Sequence, residues 1–111
     1  MNVRFADHHI RFRIAHDEMD RLLAGRSLGL DVSMPRAHQF RASVNVTPIG
    51  DWQLDSDPTG LWLSIPRAAL EELSQSLPRK EGIEHVFATE HGQLAVSFQV
   101  DLRKENNKAA A

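Results

Sequence analysis

Three arginines offer the clearest chemistry in this chain. Arg4, Arg11 and Arg13 alternate with apolar residues in the runs Val3-Arg4-Phe5 and Ile10-Arg11-Phe12-Arg13-Ile14. Successive side chains of an extended strand point to opposite faces, so the three guanidiniums share one face and the apolar set takes the other. Guanidinium forks pair well with carboxylate and phosphate oxygens. The chemistry this predicts is anion binding, either of a small anionic ligand or of an acidic partner protein. Arg41, on a later alternating run, joins the set if its strand lies alongside. The competing reading is a solvated basic face balanced by Asp17, Glu18 and Asp20.

Trp62 is the other candidate contact residue. It takes the outward phase of a run whose inward phase is Leu61, Leu63 and Ile65, and exposed tryptophans often anchor partners. The duller alternative is that it covers an edge or packs under a loop. Trp52 and Trp62 flank the turn sequence Asp55–Gly60 and would meet if the flanking runs pair as a hairpin. Asp51, Asp55 and Asp57 cluster in the same segment, where aspartates suit turn geometry better than acid–base catalysis or calcium binding.

The remaining chemistry is thin. There are six histidines, but none forms an HxH or HxxxH pair with a third ligand at a familiar distance, so they read as turn and surface residues and no metal site is expected. The absence of cysteine removes disulfides, thiolate nucleophiles and cysteine-zinc sites. No phosphate loop, dinucleotide fingerprint, nucleophile elbow or HExxH motif occurs. No catalytic residue is nominated and no cofactor is expected.

Bulk properties set the frame. The 111 residues fit one domain, with a formal net charge of -2 that draws the chain neither to nucleic acid nor to a membrane. With no tyrosine, and with phenylalanines on the inward phase, the aromatic platform of an RNA-binding sheet is missing. No apolar run approaches the roughly 18 residues of a membrane span, and the N-terminal MNVRFADHH lacks a signal-like apolar core. The expectation is a soluble, cytoplasmic domain over residues 1–104 with a polar, flexible tail over residues 105–111.

The elements that must position the arginines repeat. Ile10–Leu22 superimposes in pattern on Leu61–Leu73: Ile10 falls on Leu61, Phe12 on Leu63, Ile14 on Ile65, Met19 on Leu70 and Leu22 on Leu73, an offset of 51. Later, Phe40 falls on Leu94, Ala42 on Val96, Val44 on Phe98 and Val46 on Val100, an offset of 54. The first block changes from a period of two to a helical stripe, and the second alternates throughout. Both halves therefore read β-β-α-β-β, over residues 1–47 and 48–102. The fold class predicted is α+β: two duplicated units related by a pseudo-twofold, forming a mostly antiparallel, barrel-like sheet with two short helices. Gly25 fits the position just past the first helix. Pro66 fits the first position of the second. The second strand pair is expected to open with Ile49–Leu54.

The opening of the chain resembles a family of small uncharacterised bacterial proteins. Val3-Arg4-Phe5, Ile10-Arg11-Phe12-Arg13-Ile14, Glu18-Met19 with Leu22, and Leu63-Ser64-Ile65-Pro66 carry the resemblance. The family's last strand often runs into an acidic and basic stretch with a nearby cysteine. Here that segment reads Gln99-Val100-Asp101-Leu102, and no cysteine occurs. The resemblance implies a fold and no mechanism.

The predicted function is a non-enzymatic module that binds a partner protein or a small anionic ligand through Arg4, Arg11, Arg13 and Trp62. One alternative is a homo-oligomer, most simply a homodimer, joined through the outward Ala95, Ser97 and Gln99 of the last strand or through an unpaired edge. Another is an enzyme whose groups are too dispersed to form a motif. An enclosed polar pocket between the halves would favour the small ligand, and a solid apolar interior would oppose it.

Overall fold

The alternating runs become eight strands and the two helical stripes become two short helices. They follow in the order β1 (Asn2–Ala6), β2 (His9–Ile14), α1 (His16–Leu23), β3 (Leu28–Met34), β4 (His38–Thr47), β5 (Gln53–Asp57), β6 (Gly60–Pro66), α2 (Arg67–Gln75), β7 (Ile83–Thr89) and β8 (Gly92–Val100). This computed structural model describes residues 1–101. The predicted tail over residues 105–111, and the ends placed at 102 and 104, lie outside the described residues.

The α+β class holds, but the sheet is not a closed barrel. The strands form two separate four-stranded sheets, one ordered β1-β2-β8-β7 and the other β3-β4-β6-β5. Each outer pairing is antiparallel, whereas the central pairs β2–β8 and β4–β6 are parallel. Parallel neighbours cannot be joined by a tight hairpin. Their pairing therefore comes from distant parts of the chain, where no local turn signal announces it.

Each sheet takes one hairpin from the first half of the chain and one from the second. In the first sheet Ile10 faces Val96 and Phe12 faces Phe98. In the second Leu61 faces Ala42 and Leu63 faces Val44. The offsets of 51 and 54 exchange these two sets of pairs. The connection from α2 to β7 is also longer than that from α1 to β3, which accounts for most of the change in offset.

The apolar faces of both sheets and both helices meet in one core. Ile10, Phe12 and Ile14 join Val96, Phe98 and Val100 from the first sheet, Val44, Leu61, Leu63 and Ile65 from the second, and Met19, Leu22, Leu70 and Leu73 from the helices. No polar or charged residue among the described residues is buried. Phe5 departs from the inward expectation: it sits near the end of edge strand β1 and is 62% exposed.

Local chemistry explains the helix ends. The Glu18 carboxylate accepts a hydrogen bond from the Ala15 N–H at 2.8 Å, half of the reciprocal cap that closes many helix starts. At the other end of α1, the Arg26 N–H donates to the Arg21 carbonyl and the Gly25 N–H to the Leu22 carbonyl, both at 2.9 Å. Gly25 takes φ 88°, as this left-handed cap requires. Pro66 stands one position earlier than expected, closing β6 and flanking α2, which begins at Arg67. The Ile49–Leu54 strand is also shifted: β5 runs Gln53–Asp57, so the turn shrinks to Pro58-Thr59 between Asp57 and Gly60.

Candidate anion-binding face

The first sheet turns one side to the core and the other to solvent. On β1, Arg4 and Ala6 take the outer side, and on β2 His9, Arg11 and Arg13. Arg4 stands directly opposite Arg11. Arg13 lies two residues further along β2, roughly 6.7 Å away at strand rise. The structure thus brings together the three arginines predicted to share a face. Arg4 is exposed and Arg11 and Arg13 are half-buried.

The central parallel pairing adds residues that the sequence left apart. Arg11 faces Ser97 and Arg13 faces Gln99 on β8, while His9 faces Ala95. The arginine face and the outward Ala95, Ser97 and Gln99 face are therefore one surface. With the Gln99 amide turned so that its oxygen meets Arg13, that oxygen accepts from Arg13 Nη2 at 2.8 Å and Nε at 2.9 Å. His9 Nε2 lies 2.9 Å from Ser97 Oγ and 4.0 Å from a Glu84 carboxylate oxygen on β7. Both contacts use the same ring nitrogen, so the trio lacks the relay geometry of a catalytic triad, in which the carboxylate holds the opposite nitrogen. The hairpin turn is Asp7-His8, and His9 begins β2. Its strand phase, shared with Arg11 and Arg13, was the available signal.

Two of the three balancing carboxylates expected for the arginines are engaged elsewhere. Asp17 pairs with Arg21 along α1 at 3.6 Å. Glu18 holds the Ala15 N–H and the Met1 amino group. Among the described residues, no carboxylate forms an ion pair with Arg4, Arg11 or Arg13. Glu84 shares their face and lies nearest His9, while Glu18 and Asp101 border a hollow beside Arg4 and Arg13. Two surface hollows adjoin the arginines. One, of about 330 Å³, lies between Arg4, Arg13, Asn2 and the start of α1. The other, of about 200 Å³, is bordered by Arg4, Arg11, His9 and Phe5.

The other predicted contacts fall away from this surface. Arg41 is in the second sheet, where it faces Asp31 across β3 and bonds its carboxylate at 2.8 Å. Trp62 is also in the second sheet, on its outer side, opposite Ser43 and Asp55. Trp52 does not meet Trp62. Its ring stacks on His85 of β7, with centroids 5.5 Å apart and planes at 10°, and Phe87 closes on His85 edge-on at 4.8 Å. Trp52 therefore ties the approach to β5 to the edge of the opposite sheet.

Asp51 and Asp57 serve local backbone geometry, as expected. Asp51 accepts from the Trp52 N–H, and Asp57 from the N–H and hydroxyl of Thr59. These Thr59 bonds hold the Asp57 carboxyl below the usual aspartate range. No group of three or more histidine, aspartate or glutamate side chains among the described residues is placed to hold a metal ion. No helix among them is long and apolar enough to cross a membrane. No protein-family model matches the chain, and no curated protein matches it.

Proposed function

We propose that this protein is a non-enzymatic binding module that takes an acidic partner on the outer face of its first sheet. One observation carries the reading: Arg4, Arg11 and Arg13 stand together on an exposed, regular surface without a carboxylate paired to any of them among the described residues. Charged groups left in solvent on a rigid strand array are already positioned for an incoming carboxylate, so little ordering cost attaches to binding. Gln99 steadies Arg13, and Ser97 offers a hydroxyl between the arginines and Glu84. The apolar core argues against a small ligand enclosed between the halves and favours a partner that lies across the surface.

The two halves read as a duplication in which this face was specialised in one copy. The matching registers of the two central strand pairs support that history. Arg11 and Arg13 in one copy stand where Trp62 and Ser64 stand in the other.

Titration calorimetry with a glutamate-rich peptide tests the proposal. Binding is expected at low salt and should weaken as salt screens it. The double variant Arg11→Ala with Arg13→Ala should weaken it by at least tenfold, since a hydrogen bond to a charged group contributes about 1.5–3 kcal/mol. Equal affinity for the variant and the parent protein, with both folded by circular dichroism, would overturn it.

A further inference from the structure

The outer face of the second sheet carries the opposite charge to the first. Asp31, Asp55 and Asp57 lie on it with Arg41, from the registers Asp31–Arg41, Asp55–Trp62 and Asp57–Gly60. Arg41 is committed to Asp31. Asp55 has no ion-pair partner among the described residues, and Asp57 bonds only to the turn beside it. Trp62 stands beside Asp55 near the middle of this face, its ring lying over the bare Gly60 backbone. An aromatic face next to a free carboxylate is suited to receive a guanidinium, which stacks on the ring while its N–H groups meet the oxygens.

We infer that the arginine face of one molecule docks on the Asp55, Asp57 and Trp62 face of a second copy of this chain. The inference rests on the proposed role of the arginine face and names its partner. The geometry supports it in three ways. Arg11 and Arg13 are two residues apart on β2, and Asp55 and Asp57 are two residues apart on β5. Both pairs therefore repeat at roughly 6.7 Å along a strand, so two charge pairs form in one register. Among the described residues, no carboxylate forms an ion pair with the arginines and no cation forms one with Asp55. Finally, both sheets turn their apolar sides to one core, so the two charged faces look away from each other. A head-to-tail contact between such faces does not close as a twofold dimer; it propagates. The contact spans only four strands, roughly 15 Å across, so the association is weak and governed by salt.

Sedimentation velocity over a range of chain and salt concentrations tests this, using the whole protein and two double variants. Variant one carries Arg11→Ala and Arg13→Ala; variant two carries Asp55→Asn and Asp57→Asn. At low salt the parent protein should grow beyond dimer with concentration and return to monomer as salt rises. Each variant alone should associate at least tenfold more weakly. Their equimolar mixture should stop at a one-to-one dimer, because it retains one intact face of each kind. A parent protein that stays monomeric at low salt overturns the inference, as does a mixture that stays monomeric. Association by variant two equal to that of the parent overturns it as well. Peptide titration of variant two separates the readings: glutamate-rich peptide still bound by a non-associating protein leaves the arginine face as the binding surface and removes only the self-pairing.

Discussion

At the residue scale, the charged side chains divide by whether they already have partners among the described residues. Arg41 and the three arginines of the first sheet look alike in the sequence, each flanked by apolar neighbours in an alternating run. Arg41 is held by Asp31 at 2.8 Å, whereas no carboxylate among the described residues forms an ion pair with Arg4 or Arg11. Asp57 shows how a local bond sets a charge. Its carboxylate accepts two hydrogen bonds from Thr59, which favour the ionised form. With the folded pKa depressed, the linked stability is present above the unfolded value and is lost as pH falls through the carboxylate range to below it. Asp57→Asn should therefore flatten the acid limb of a denaturation-versus-pH curve. An unchanged acid limb would show that the Thr59 bonds do not stabilise the fold.

At the element scale, backbone approach decides what each edge tolerates. Gly82 immediately precedes β7, and an added Cβ there would run into the Phe98 carbonyl of β8. That obstacle is backbone, held in place by the Ile83–Phe98 pairing, so it cannot rotate away. Gly82→Ala should destabilise the fold by about 1–3 kcal/mol, the usual range for overpacking. Urea unfolding would measure it, and a loss below about 0.5 kcal/mol would mean that the β7 edge yields. The same connection is tied by Arg79, whose guanidinium donates to the Glu81 and Gly82 carbonyls and to the Ser76 hydroxyl. The two helices are linked by Arg67, which donates from the start of α2 to the Leu23 carbonyl at the end of α1. That bond satisfies one of the carbonyls a helix end leaves without an internal partner.

At the scale of the whole molecule, the sheets are interleaved between the halves. β2 needs β8, and β4 needs β6, to complete the apolar face that covers the helices. Residues 1–50 alone hold two hairpins and α1, with neither central pair. As a monomer this fragment should be unfolded by circular dichroism and amide dispersion, because isolated two-stranded ribbons are marginal in water. Adding residues 48–101 should restore ordered signal. A cooperatively folded 1–50 monomer would show that the halves are independent folding units. Interleaving also creates the candidate surface, since its arginines come from β1 and β2 while Ser97, Gln99 and Glu84 come from β7 and β8.

Local periodicity determined the elements by itself. Alternation marked the strands and gave the arginines one face, because side chains on a strand point up and down by turns. The change of period at His16 and after Pro66 marked the helices, and Met19, Leu22, Leu70 and Leu73 do form their buried stripe. The offsets of 51 and 54 exposed the shared order of both halves. What the sequence left open was pairing between distant strands. A parallel pair leaves no turn signature, so β2 beside β8 and β4 beside β6 cannot be read from neighbouring residues, and local pattern alone favours a barrel, which hides edges. Only the tertiary structure placed Ser97 and Gln99 next to the arginines, moved Arg41 and Trp62 to the opposite sheet, and set Trp52 on His85. Those placements depend on pairing between residues 19 to 86 positions apart, from Arg41 with Gly60 to Arg11 with Ser97, which apolar alternation permits in several ways and only the packing of one common core selects.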